Sequence, residues 1–448
     1  VAGLAGAALA LSETAAPAAA QTVPSHVAPE GGVAGPVARV TFSNQVVRLL
    51  QNRCQTCHHE GGIAPFPLVT YADAFDHRVQ MQIVTASRQM PPWRVDSTCM
   101  AYAGDPSLTP EEVRTLATWV AAGAPRGDPA DLPEPRTFGG DWQLGEPDQV
   151  LTMPEPFRPD FSKGDIYRCF VFPTNLAADR FLSALEVKPG QPAMVHHVLA
   201  YVDPTDAAEA LDGAEPGPGY TCFGGPGFGD RVPVAAWAPG NQPPRLPDGV
   251  GIPVAKASRI VLQVHYSPRS GVSAPDATSL GLHFSTAPVK KRWLWFPMVS
   301  DDFLLPAGKP DCRLTVSTIL TQPLHALAIT PHMHLLGRTM RVDAVAADGT
   351  RRCLVNVPAW DLRWQDTYRY RESVALPAGT GLELVATYDN SDANPDNPNV
   401  PPKDVRWGET AVDEMCLLYV HGTLDDEDLL KAPVPPGSRP RVFRPPTP

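Results

Sequence analysis

Two periodicities divide the chain. Between Phe42 and Gly127, apolar residues recur at helical spacing, first as Val46, Val47, Leu49 and Leu50, later as Val113, Leu116 and Val120. Ser43 is placed to cap the first of these helices. The later one opens on Thr109-Pro110-Glu111-Glu112, a capping box with Pro in the first turn, and Gly123 is placed to end it. Beyond that the pattern changes to short, apolar, often β-branched runs, at 181–187, 195–202, 259–266, 314–320, 324–329 and 382–388, separated by Pro, Gly, Asn and Asp. Such spacing over about 300 residues predicts two β-sandwiches, with a boundary near 287–291. Pro/Gly/Ala-rich stretches at 21–38 and 129–142 read as linkers, and 431–448 as a tail. The expectation is a multidomain chain: an all-α domain over 39–128, then all-β sandwich domains over 143–287 and 288–430.

Composition sharpens this in a few places. The chain has 448 residues, of which 52 are Pro, so long helices cannot dominate. With 43% hydrophobic and 19% charged residues it is a folding rather than a solvating chain. A net charge of -11 argues against a nucleic-acid partner. Residues 1–20 combine a short apolar run with small residues, as at the end of a secretory signal, and predict a periplasmic or secreted protein. That compartment permits disulfide bonds. No stretch reaches the length of a membrane span without charge or Pro.

Cys54-Gln55-Thr56-Cys57-His58 is a C-x-x-C-H motif, whose two thiols add to haem vinyl groups while the His becomes an axial ligand. A redox C-x-x-C would want a βαβ setting, and a zinc site a second close Cys/His pair; neither surrounds this motif. Met90, in a Pro-rich loop before the last helix, is the expected sixth ligand, with Met81 and Met100 as rivals. Helix, motif, Met loop and closing helix together resemble a class I cytochrome c domain.

The β-rich part carries His196-His197, His265 in Leu262-Gln-Val-His-Tyr266, and His332-Met333-His334. Alternate residues of a strand face one way, so His332 and His334 can share a metal. Adjacent His196 and His197 point apart on a regular strand and need a local twist to do so. Three imidazoles with no thiolate suit Cu or Zn, and two imidazoles with a thioether suit a copper that cycles through Cu(I).

His196-His197, Gln263-x-His265-Tyr266, His332-x-His334 and Asp413-Glu414-Met415-Cys416, in that order, resemble the copper type II monooxygenases, the family of peptidylglycine α-hydroxylating and dopamine β-monooxygenases. The resemblance spans roughly 140–425. It implies two jelly-roll-like sandwiches facing each other across a cleft. It also implies one copper on His196, His197 and His265 for electron transfer, and a second on His332, His334 and Met415, where O₂ is reduced. Gln263 and His325 match outer-shell positions, and Tyr419 matches a substrate-pocket tyrosine. Two departures bear on substrate. The family's carboxylate-gripping Arg is Thr330 here, which argues against a glycine-extended peptide, and a family Asn is Leu417. Of the six cysteines outside the haem motif, Cys169 and Cys222 are the pair expected within the first sandwich.

The function expected is a copper-dependent monooxygenase that hydroxylates a C–H bond of a small organic substrate with O₂. An external donor supplies electrons through haem c, then the three-histidine copper, then the His332/His334/Met415 copper. The alternatives are a non-catalytic haem/copper electron carrier or sensor, and a peroxygenase that uses H₂O₂.

Overall fold

The computed structural model describes residues 39–138, 142–229, 232–268, 271–434, 438 and 440–444. The expected signal remnant and the first linker lie outside the described residues. The described residues from Val40 onward hold together as one compact unit.

The helical part opens on Thr41, not Ser43. Thr41 is extended, its hydroxyl accepts from the Asn44 amide, and its own amide donates to Gln45 Oε1 at 2.9 Å. This wide first turn, Phe42–Val46, draws Ser43 inside, where it is buried. The helix Val47–Arg53 then runs straight into Cys54. Shorter helices cover Tyr71–Asp76 and Arg78–Ala86. Pro110–Ala121 begins as its sequence predicts, with Thr109 and Glu112 capping each other's backbone amides. Phe42, Val46, Leu50, Leu116 and Trp119 form the centre of this part.

The first sandwich pairs two five-stranded sheets. One runs, in spatial order, Gln149–Thr152, Ser279–Phe284, Arg180–Lys188, Val250–Val254 and Lys291–Arg292. The other runs Tyr220–Thr221, Ile166–Pro173, Arg259–Tyr266, Val195–Asp203 and Ala235–Trp237. Along Arg259–Tyr266, Ile260, Leu262, Val264 and Tyr266 point into the shared core, while Val261, Gln263 and His265 take the other face. Cys169 and Cys222 are joined as expected.

The second sandwich faces a four-stranded sheet (Leu294–Ser300, Cys416–Leu424, Leu324–His332, Tyr368–Leu376) against a five-stranded one (Arg351–Val357, Gly337–Val345, Gly381–Tyr388, Cys312–Leu320, Phe443–Arg444). The chain passes between sandwiches just after Lys291–Arg292, and Trp293 and Trp295 are buried against the first sandwich's core together with Ala328. Tyr167 of the first sandwich donates its hydroxyl to the Glu409 carbonyl at 3.0 Å. Val95 and Tyr102, which follow the helix Arg78–Ala86, belong to the core of the second sandwich, and a second disulfide joins Cys99 to Cys353.

Candidate metal centres

Two irregularities in strand register create the sites. The pairing of Val195–Asp203 with Arg259–Tyr266 slips between Val195 and His197, so that His197 lies opposite His265 and His196 is the extra residue of a bulge. The bulge supplies the twist that adjacent histidines need. The Nδ1 atoms of His196 and His197 are 3.2 Å apart, those of His197 and His265 3.3 Å, and one ligand atom from each of the three lies within 4.8 Å of the others. A metal with nitrogen ligands at about 2.0–2.1 Å in tetrahedral geometry separates them by about 3.3 Å. Imidazole lone pairs at that distance repel unless a proton or a cation lies between them.

Tyr167 stacks on the His265 ring at 4.2 Å, and Asp165 Oδ2 lies 3.4 Å from His265 Nε2, on the side away from the cluster. The nearby His265 imidazole holds the Asp165 carboxyl below the usual range. Gln263, buried two residues before His265, donates to the Cys222 carbonyl at 2.6 Å and so ties the disulfide-bonded segment to the strand that carries His265.

The second irregularity falls on Leu324–His332, between Ala326 and Ala328. Leu324 and Ala326 face the second core; after the slip Ile329 and Met333 do. The bulge therefore shifts the alternation by one and turns Thr330 and His332 out toward the first sandwich. His332 Nδ1 bonds Gln365 Oε1, and His334 Nδ1 donates to the Asp413 carbonyl at 3.2 Å. With both Nδ1–H groups used as donors, each ring offers Nε2 as its lone pair. Their ring planes are nearly perpendicular, with centroids 5.2 Å apart. Fully buried Glu414 accepts the amides of His334 at 2.7 Å, Leu336 at 2.8 Å and Met415 at 2.8 Å, which fixes the Met415 backbone beside His334.

Burial lowers the basicity of these rings. His332 falls to about 4 and His334 to about 3, and His197 is also well below its ordinary value. His332 and His334 add to the depression of His197, and His265 and His196 to that of His334, so the clusters lie within electrostatic reach of each other. Neutral imidazoles can bind a metal without first losing a proton.

Around the His332 side, Thr330 lies between Thr367 Oγ1 at 2.8 Å and His421 Nε2 at 2.6 Å. His421 is fully buried, and Trp295 packs edge-on against it at 4.2 Å. Tyr419 lies 5.2 Å from Trp295. Trp293, Trp295, Asn241, Asp366, Thr367 and Arg369 border a cavity of ≈ 50 Å³ between the sandwiches. Asn241 Nδ2 donates to Asp366 Oδ1 at 2.5 Å, and burial pushes the Asp366 carboxyl up to about 6.

His325 is not brought to either cluster. Its Nδ1 lies 2.5 Å from Asp425 Oδ1 at the opposite end of the strand from His332, about 20 Å away at the rise of a strand. Matching order along the chain did not carry it to the site. Asp165, Tyr167, Gln365 and His421 join the site without having been singled out. Asp165 and Tyr167 alternate on the face that also carries Cys169, a signal readable in principle. Gln365 is 33 residues from His332, and nothing local announces their pairing.

At the C-x-x-C-H motif, Cys54 and Cys57 are free thiols, partly buried after the helix Val47–Arg53. His58 Nδ1 bonds the Phe66 carbonyl at 3.0 Å, which orients the ring and leaves Nε2 as its ligand atom. Gly62 folds back so tightly that a Cβ there would lie 2.3 Å from the Cys57 carbonyl. Met90 is partly buried, and its amide bonds the Val84 carbonyl at the end of the preceding helix. Cys312 and Cys416 remain free and buried.

The first sandwich thus carries an all-imidazole cluster that could hold a metal ion, and the second an H-x-H pair. Residues 298–423 match the family model of the copper type II ascorbate-dependent monooxygenase, C-terminal domain. DBH-like monooxygenase protein 1 of mouse is 23% identical over 291 residues, covering 58% of this chain and 44% of that protein. Peptidylglycine alpha-amidating monooxygenase of rat is 31% identical over 111 residues, covering 23% of this chain and 11% of that protein. The chain thus spans less than half the length of these relatives, and its second sandwich is homologous to a domain of copper monooxygenases. Among solved structures, the infectious bursal disease virus VP2 subviral particle aligns over 62% of this chain and 79% of that chain at 10% identity, with a TM-score of 0.17. A likeness at that level carries no argument about fold or function. No helix among the described residues is long and apolar enough to cross a membrane.

Proposed function

We propose that this chain is an exported copper-dependent monooxygenase that hydroxylates a C–H bond of a small organic substrate with O₂ and takes its electrons through a covalently attached haem c. The reading divides it into a cytochrome c-like domain over 39–128 and copper sandwiches over 143–287 and 288–430. His196, His197 and His265 hold one copper; His332, His334 and Met415 hold the other. Cys54, Cys57 and His58 hold the haem, with Met90 as its sixth ligand. When bound, the coppers supply one-electron chemistry with O₂, and the haem supplies exchange with an external donor.

The protein's part is positional. Asp165 and Tyr167 orient His265; Gln365 and the Asp413 carbonyl orient the H-x-H pair; Glu414 fixes the register between His334 and Met415. The Trp293/Trp295/Tyr419 wall excludes water beside His332, and Thr330, braced by Thr367 and His421, gives that wall a neutral polar patch in place of a cationic one. An uncharged substrate fits such a patch better than a carboxylate. The observation that carries the reading is the convergence of His196, His197 and His265 opposite His332 and His334, in a chain whose second sandwich is homologous to a copper monooxygenase domain.

The test is metal and pigment analysis of the full chain. Two coppers and one covalent haem per chain are expected, with His265→Ala and His334→Ala each losing one copper. Incubation of reduced protein with O₂ and candidate substrates should then yield a product heavier by one oxygen. Fewer than two coppers in the parent protein would sink the two-site reading.

A further inference from the structure

One segment ties the haem-motif module to the sandwiches. Among the described residues, every hydrogen bond, ion pair, disulfide and ring contact that residues 93–103 make with a sandwich goes to the second one. Arg94 pairs with Asp361 at 2.9 Å, the Asp96 amide donates to the Asn356 carbonyl at 2.8 Å, and Cys99 is bonded to Cys353. Tyr102, almost fully buried, donates to the Leu354 carbonyl at 3.2 Å, and the Ala103 amide donates to the Arg369 carbonyl at 2.8 Å.

At the near end of this segment, three residues after Met90, Trp93 stands edge-on to Tyr368 with ring centroids 5.0 Å apart. Tyr368 begins the strand that borders Leu324–His332 and lies opposite Ile329. Its neighbour Thr367 bonds Thr330, and Gln365 bonds His332 Nδ1. A continuous path of ring contact, one strand and two hydrogen bonds therefore leads from the Met90 loop to the H-x-H pair. The three-histidine cluster lies on the other sandwich.

We propose that Trp93 and Tyr368 couple the haem module to the His332/His334 centre, so that electrons enter the copper pair there rather than at the three-histidine cluster. This rests on the haem and copper reading above. In each transfer one electron leaves ferrous haem, which becomes ferric, and reduces Cu(II) to Cu(I); no bond and no proton moves. Electron tunnelling decays exponentially with distance, and a bonded or stacked path conducts better than a gap. An aromatic ring at 93 therefore matters and a branched aliphatic one does not replace it.

The experiment uses the full, haem- and copper-loaded protein in its oxidised state. Flash photolysis of a flavin donor places one electron on the haem without O₂, and the haem absorption band and the cupric EPR signal are followed in time. Transfer should persist in His265→Ala and disappear in His334→Ala. Trp93→Leu should slow it by roughly an order of magnitude at unchanged haem and copper content, and Trp93→Phe should restore most of the rate. Transfer that survives in His334→Ala, or a Trp93→Leu rate equal to the parent's, overturns the proposal while the monooxygenase reading stands. A parent protein with no haem band in its absorption spectrum overturns this proposal and the haem part of the reading above, and leaves its copper part standing.

Discussion

At the scale of single residues, the sites are set by groups that never need to touch a metal. Gln365 holds His332 by Nδ1 and so decides which nitrogen the ring presents. Gln365→Ala should lower copper affinity at the H-x-H pair by about 10- to 100-fold, the usual effect of losing such a partner, and leave the three-histidine cluster unchanged. Copper titration in the His265→Ala background reads this directly. Asp366 supplies a pH dependence. Burial raises its carboxyl to about 6 from an ordinary value of 3.8. The folded state therefore keeps a proton that the unfolded chain gives up first. Its contribution is complete below about pH 4 and is lost as pH rises toward 6, on the order of 3 kcal/mol in all. Urea unfolding of the parent and Asp366→Asn across that window should show the parent losing stability relative to the variant as pH rises. A gap that stays constant would show that Asp366 titrates normally.

At the scale of elements, two bulges do what regular strands cannot. Without the slip after Ala326, His332 would share the face of Leu324 and Ala326 and point into the core. The slip is seated on Gly422, where a Cβ would lie 2.2 Å from the His325 carbonyl oxygen. Gly422→Ala must push the strands Leu324–His332 and Cys416–Leu424 apart. It should cost about 1–3 kcal/mol, as overpacking does, and loosen copper at His332/His334 together with stability. Thermal unfolding and copper titration on the same variant check both halves. The first bulge, at His196, explains how two neighbouring histidines reach one cluster. The strand itself was legible, since 195–202 reads as an apolar β-branched run and the structure has Val195–Asp203. The bulge was not, because its cause is the partner strand's register with His265, some 68 residues away.

At the scale of the whole molecule, the cross-link between Cys99 and Cys353 closes a loop of 254 residues that holds the strands of the first sandwich and part of the second. Its loss removes a constraint on the unfolded chain. Cys353→Ser should lower stability by about 2–5 kcal/mol, the usual range for a native disulfide. Peptide mapping without reductant should recover Cys99 and Cys353 in one linked fragment. The same cross-link blurs the expected domain plan. The helices, the capping box at Thr109 and most strands were readable from local periodicity, because caps and alternation act over a few residues. That residues 93–103 would serve the second sandwich was not, because their partners, Leu354, Asn356 and Tyr368, come some 250 residues later.

By itself the sequence determined the kinds of chemistry available: a C-x-x-C-H motif behind a helix, a histidine pair, an H-x-H, and strands to carry them. Those depend on residue type and short spacing, which covalent order preserves. Tertiary structure decided which way each ring faces, that His325 stands apart with Asp425, that Gln365 and Asp165 join the site, and that the haem-motif module rests on the second sandwich. Each of these depends on strand register and on contacts across tens to hundreds of residues, and such contacts exist only once the sheets have packed.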